Sequence, residues 1–151
     1  YKRQLGLVSA PALARRWWAR HDEGCWTRVA EAAPRRCRVS SVRAMADAFV
    51  TYSSLGGWEG RPERLEPLLR ASWRTRAFGD FYSYMLVAEG ACDVAAEPEL
   101  ALHDMAALVP IVTEAGGRFS DLAGRPGPFG GNAVASNATL HDEALRLLRP
   151  S

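Results

Sequence analysis

Extended and helical signatures alternate along most of this chain, and that alternation limits its fold more than any single residue does. "FVTYSS" is β-branched and aromatic and runs to the breaker Gly56-Gly57, the pattern of a strand. "RPERLEPLLRAS" opens on proline and acid and repeats leucine at Leu65, Leu68 and Leu69, an amphipathic helix. "SWRTRAFG" reads as the next strand. "DFYSYMLVAEG" reads as a compact apolar helix with Asp80 in capping position and Gly90 at its close. "CDVAAEP" is a short strand stopped by Pro98, and the helical run "ALHDMAALVPIVTEAGG" follows. Strands in "GRFSD" and "GNAVASN" lead to a last helix, "ATLHDEALRLLRP", with Leu140, Ala144, Leu147 and Leu148 on one face. Upstream, "LGLVSAPAL" and "RRWWARHDEGCWTRV" form a hairpin or meander in which one of Trp17 and Trp18 faces the core and the other the surface. "SSVRAMADA" has the spacing of a short helix. The pattern predicts layered α/β packing with helices covering a sheet.

Composition narrows the function. At 151 residues and 48% hydrophobic, the chain has the size and apolar content of one domain with a real core. A net charge of +2 with no basic arm gives no electrostatic footprint for nucleic acid or a membrane surface, and Arg35-Arg36-Cys37-Arg38 reads as a solvated loop. No apolar run reaches the roughly 18 residues of a membrane span. Cys25, Cys37 and Cys92 are odd in number and scattered, so neither a disulfide framework nor a zinc set is expected, and a reducing cytoplasm fits. Cys92, within a strand and without a basic neighbour, reads as inert packing. His21 and His141 read as loop and helix-surface positions. The chain opens on Tyr1 and enters a strand within a few residues, from which we expect that an N-terminal part is absent.

Among the charged residues, the carboxylates stand out. In "CDVAAEP" the two-residue period puts Asp93, Ala95 and Glu97 on one face, with Glu97 at the strand's carboxyl end. In alternating α/β folds, strand carboxyl ends and helix amino ends share the edge where ligands bind, so Glu97 and Asp104 are expected to meet there. The helix head would favour an anion, and Asp104 would give Mg²⁺ a hard oxygen. Asp104 serves equally well as a plain helix cap. Gly79 and Asp80 occupy a strand-to-helix junction that either holds a substrate group and a cation or is an ordinary cap. His103 is a first-turn residue, either exposed or against a ligand.

These residues lie inside a recognisable pattern. "HDMAALVPIVTEAGG" resembles the carboxyl-terminal signature of the inositol-monophosphatase-like, Mg²⁺-dependent phosphatases, in which Trp-Asp opens a helix running into Glu-Ala-Gly-Gly. "GLVSAPALARRWWARHDEGCW", "WRTRAFGDFYSYMLVAEGACDVAAEP" and "GGNAVASNATLHDEAL" resemble the histidinol-phosphatase branch of that superfamily as found in actinobacteria, and the likeness covers essentially the whole chain. It implies a layered α/β sandwich of the inositol-monophosphatase and sugar-phosphatase type, of which residues 1–151 are the C-terminal part, with a mixed sheet flanked by helices. It implies that Asp104 is a metal-ligating, catalytic and substrate-contacting aspartate, that Gly79, Asp80 and Phe81 lie along the substrate, and that Glu97 contacts its non-phosphate portion. For histidinol phosphate, an intermediate of histidine biosynthesis, Asp80 and Glu97 would receive the amine and the imidazole. A homodimer is implied for the full-length protein, with a small phosphate ester as its partner.

The chain departs from the family pattern in two places. His103 stands where the family has tryptophan, which alters the wall beside the metal and leaves the ligand. The family's Gly-Glu-Glu and Asp-Pro-Ile-Asp-Gly-Thr segments, which supply most metal ligands and the phosphate-holding amides, do not occur in this sequence. The 151 residues alone are therefore expected to be inactive, because one carboxylate cannot organise Mg²⁺. Two other functions compete with the histidinol-phosphate reading: a phosphatase for inositol phosphate or another small ester, and a catalytically dead interaction module.

Overall fold

A computed structural model of the chain describes residues 5–58 and 62–149. The expectations at Tyr1, Arg61 and Pro150 lie outside those residues.

Four antiparallel strands come first, in sequential order: β1 (Leu5–Ala10), β2 (Arg15–Arg20), β3 (Gly24–Val29) and β4 (Arg35–Cys37). Of the expected hairpin or meander it is the meander: the second extended run folds back as β2 and β3, and β4 adds a strand that the sequence reading did not have. Arg35-Arg36-Cys37, read as a solvated loop, is the edge strand β4, paired with Thr27, Trp26 and Cys25. Alternation sorts the tryptophans as expected, with Trp17 fully buried and its neighbour Trp18 half-buried on the other face.

The second sheet has five strands in the order β6-β5-β7-β9-β8: β5 (Phe49–Tyr52), β6 (Arg74–Ala77), β7 (Val94–Glu97), β8 (Arg118–Ser120) and β9 (Ala133–Ser136). β5 is parallel to both β6 and β7, so the carboxyl ends of these three strands share an edge, whereas β9 runs antiparallel to β7 and β8. Helix α1 (Pro62–Ala71) precedes β6, α2 (Asp80–Ala88) follows it, and α5 (His141–Leu147) closes the chain. "SSVRAMADA" forms no α-helix. Only a single 3₁₀ turn, Met45–Asp47, appears there.

The long helix expected from residue 101 is split into α3 (Leu102–Met105) and α4 (Leu108–Glu114). Pro110 accounts for the break: it has no N–H to donate and its ring opposes the carbonyl four residues back, at Ala106. Ala106 and Ala107 keep helical backbone angles, so the ladder is interrupted while the chain direction persists.

Two cores result, one on each face of the five-stranded sheet. Thr51, Ala95, Ala133 and Ala135 have opposite parity to Val50, Val94, Ala96 and Val134. The alanines join Trp17, Tyr84, Met85, Ile111 and Phe119 between the two sheets, while the valines join Leu65, Leu68, Leu140, Ala144 and Leu148 beneath α1 and α5. The layers are thus sheet, α2 with α4, sheet, α1 with α5. Gly6 lets the first sheet seat closely on this middle layer, since a Cβ there would lie 2.6 Å from both the Ala107 carbonyl oxygen and Pro110 Cγ.

His141, expected on a helix surface, is fully buried. Its Nε2 lies 2.9 Å from Ser120 Oγ and its Nδ1 2.9 Å from Ser136 Oγ. Ser120 donates its own hydroxyl to the Asp121 carbonyl, so it accepts from Nε2–H, and Nδ1 then accepts from Ser136. Helical spacing put the histidine beside polar residues, and only the sheet brought the two serines to it.

Candidate functional site

The site lies on the edge where β5, β6 and β7 end. β7 delivers Glu97, whose side chain sits on the inter-sheet face as the two-residue period requires and is only 3% exposed. Extending the parallel register that pairs Thr51 with Ala95 sets Ser53 opposite Glu97, and Ser53 Oγ donates to Glu97 Oε2 at 2.6 Å. The other oxygen, Oε1, is buried with no hydrogen-bond partner among the described residues, and so is the hydroxyl of Tyr84. Burial pushes the Glu97 carboxyl above its ordinary value and the Asp80 charge pushes in the same direction, against the lowering effect of Ser53. Tyr84 is raised well above the ordinary phenol value by burial first and by the Glu97 charge second. Two buried polar atoms left bare carry a cost that a bound ligand can remove.

Tyr84 also lines a cavity of about 220 Å³, together with Asp80, Phe81, Leu100, Asp104 and Leu108. β6 leads into its first wall through Gly79, at φ 77°, and Asp80, itself at φ 47°. The N-cap of α2 is Gly79, which has no side chain to cap with, and Asp80 is the first helical residue, which corrects the reading of Asp80 as the cap. An aspartate in left-handed backbone conformation, with its carboxylate exposed at a cavity, stores strain where a ligand would be met.

Asp104 forms the facing wall. Its Oδ2 accepts the Ala101 N–H at 3.2 Å, so the capping reading holds for one oxygen. Its Oδ1 lies 3.6 Å from His103 Nε2, and His103 is 86% exposed. Glu97 and Asp104, expected to meet at this edge, share no hydrogen bond, and Glu97 is not among the residues that line the cavity. The open carboxylates Asp80 and Asp104 share the cavity, and Glu97 lies within electrostatic reach of Asp80 and Tyr84. Nor does α3 offer a strong anion site, because a helix of one turn sums few peptide dipoles.

As a metal centre, this donor set is incomplete. Mg²⁺ takes six oxygens in near-octahedral geometry, and the cavity walls supply the carboxylates of Asp80 and Asp104. Among the described residues, the gathering of three possible ligands is elsewhere: His21, Asp22 and Glu114, at the far end of α4. There Glu114 clamps the β2–β3 turn, accepting the N–H groups of Asp22 and Gly24.

Sequence reasoning found Asp80, Phe81, Glu97 and Asp104, and it missed Ser53, Tyr84 and Leu100. Ser53 was readable in principle, as a hydroxyl just past the end of a strand. Tyr84 lies one helical turn beyond Asp80 and so projects from the same face of α2.

The chain matches the model of the inositol monophosphatase family over residues 2–150. It is 57% identical to a histidinol-phosphatase of Streptomyces coelicolor over 98% of its own length and 56% of that protein's, and 53% identical to one of Mycobacterium tuberculosis over 95% and 56%. In structure it is similar to an inositol monophosphatase from Zymomonas mobilis, with a TM-score of 0.86 at 27% identity, covering 95% of this chain and 56% of that one. The chain thus spans a little over half the length of the relatives it matches.

Proposed function

Because the chain belongs to the inositol monophosphatase family, we propose that in a protein of its relatives' length these residues form one wall of a Mg²⁺-dependent phosphatase that releases phosphate from L-histidinol phosphate. The observation that carries this is the 57% identity to a histidinol-phosphatase along nearly the whole chain, with the acidic cavity residues inside the matched span. Asp104 offers the metal one carboxylate oxygen, and the chain's own residues do not complete the shell.

What the chain contributes by itself is recognition of the substrate's cationic end. Asp80 presents an exposed carboxylate at the cavity, and Glu97, near enough to feel the Asp80 charge, holds a buried oxygen without a hydrogen-bond partner among the described residues. An ammonium or imidazolium entering there would hydrogen-bond to the carboxylates, satisfy Glu97 Oε1 and pull the Glu97 carboxyl back toward ionisation. Phe81, Leu100 and Leu108 would exclude water from that contact and strengthen it. An inositol ring carries no cation, so this wall favours the histidinol ester over the polyol.

Steady-state phosphate release by the full-length enzyme tests the reading. Asp104→Asn should abolish turnover. Asp80→Ala and Glu97→Ala should raise KM for histidinol phosphate by about tenfold or more, the scale of one lost charged hydrogen bond, and much less for an uncharged phosphate ester. Equal losses on both substrates would overturn the assignment of the cationic end to this wall.

A further inference from the structure

The cysteines are less scattered than their spacing suggests. In the register of the first sheet Cys25 on β3 stands directly opposite Cys37 on β4. Both are free thiols, and both are buried in the core between the sheets at 0% and 2% exposure. Directly opposed residues on antiparallel strands have Cα atoms about 4.5–5.5 Å apart, inside the range of about 4.4–6.8 Å that a disulfide spans. The register therefore gives the pair a Cα separation that a disulfide can span.

We propose that Cys25 and Cys37 are a reversible redox dithiol, which hydrogen peroxide converts to a disulfide tying β4 to β3 and which a low-molecular-weight thiol restores.

The surroundings define the order of events. The facing Cys25 thiol, with the charges of Arg35 and Arg15 behind it, holds the Cys37 thiol below its ordinary value against burial and the Glu89 charge. Cys25 is correspondingly raised. Cys37 is therefore the nucleophile: its thiolate attacks one peroxide oxygen, the O–O bond breaks, and the departing hydroxide takes a proton and leaves as water. Cys25 then attacks the sulfenic sulfur, its proton leaves with the hydroxyl as a second water, and the S–S bond closes. Two thiols and one peroxide become one disulfide and two waters.

Access comes from the position of Cys37. β4 is three residues long and forms the sheet edge, paired on one side. Short edge elements open at the low end of a protein's range of local stabilities. Cys92 has no such partner: it is buried, and burial, with the charge of Asp93 in second place, pushes its thiol up to about 12.

The experiment uses the reduced 151-residue chain in native buffer, treated with hydrogen peroxide, alkylated and analysed by peptide mass spectrometry without reduction. The Cys25 and Cys37 peptides should appear linked, with the loss of two hydrogens, at about tenfold or more over either pairing with Cys92, and Cys92 should be recovered alkylated. Dithiothreitol should reverse the link, and the oxidised chain should melt several degrees higher. The same reaction in denaturing urea should spread over all three pairings. That spread in native buffer, or sulfinic acid at Cys37 without a link, would overturn the proposal. Cys37→Ser should leave Cys25 reduced under the same treatment, and a Cys25–Cys92 link in that variant would place the reactive pair elsewhere.

Discussion

Glu97 and His141 are both buried ionisable side chains attached to the five-stranded sheet, and the fold treats them in opposite ways. His141 has each ring nitrogen matched to a serine, and each serine also bonds to backbone, so the cluster is complete without a ligand. Glu97 has one oxygen on Ser53 and one with no partner among the described residues. The complete cluster stands between β8, β9 and α5, and the incomplete one at the carboxyl edge beside the cavity. Burial alone therefore does not mark a functional group. The unmet hydrogen-bonding capacity near the cavity is what makes Glu97 a candidate and His141 none.

The largest test is to remove the complete cluster. His141→Ala leaves two buried hydroxyls without their partner and a hole the size of an imidazole, and should cost roughly 3–5 kcal/mol in urea unfolding. A loss below about 1 kcal/mol would mean that water or neighbouring groups satisfy the serines as well as the ring does.

Acid should act on the same cluster. Burial first and the Arg118 charge second lower the His141 pKa to about 4, with Asp142 opposing, so the folded state holds the ring neutral where the unfolded chain takes a proton. Stability is then full above about pH 6.5, falls as pH drops toward 4, and levels below that, a loss of about 3 kcal/mol from this residue. His141→Gln should flatten that segment of the stability profile. An unchanged slope in the variant would assign the acid sensitivity to other groups.

Much of this contrast was hidden from the sequence for a physical reason. Alternation and helical spacing are local, and they located Glu97, Asp104 and the Leu140, Ala144, Leu148 face. Partnership is not local. Ser53 meets Glu97 through a strand pairing across 44 residues, Ser120 meets His141 through a sheet across 21, and Cys25 faces Cys37 only because β4 exists. The split of the helix after Met105 was legible, since Pro110 was in plain view and its effect on Ala106 follows from ring geometry alone.

On the incomplete side the effects should be smaller and of opposite sign. Glu97→Gln removes a carboxylate that resists ionisation, so at neutral pH it should leave stability unchanged or raise it by up to about 1 kcal/mol. A loss of 2 kcal/mol or more in thermal or urea unfolding would make Glu97 structural, like His141. Asp80→Gly relieves a left-handed backbone and should stabilise by about 1 kcal/mol or less, while weakening any cation bound at the cavity. Gly79→Ala is the exception in sign: at φ 77° and ψ 164°, a region that only glycine enters freely, it should cost roughly 1–3 kcal/mol through backbone strain, with nothing closer than 3.6 Å to the added carbon.

The contact at Gly6 has a mechanical consequence. With no side chain between them, the first strand of the meander bears directly on Ala107, three residues past Asp104. Nothing soft lies in that joint to absorb a displacement. A push on the outer sheet would travel through it as through a bearing, and the carboxylate at the cavity wall would feel the movement.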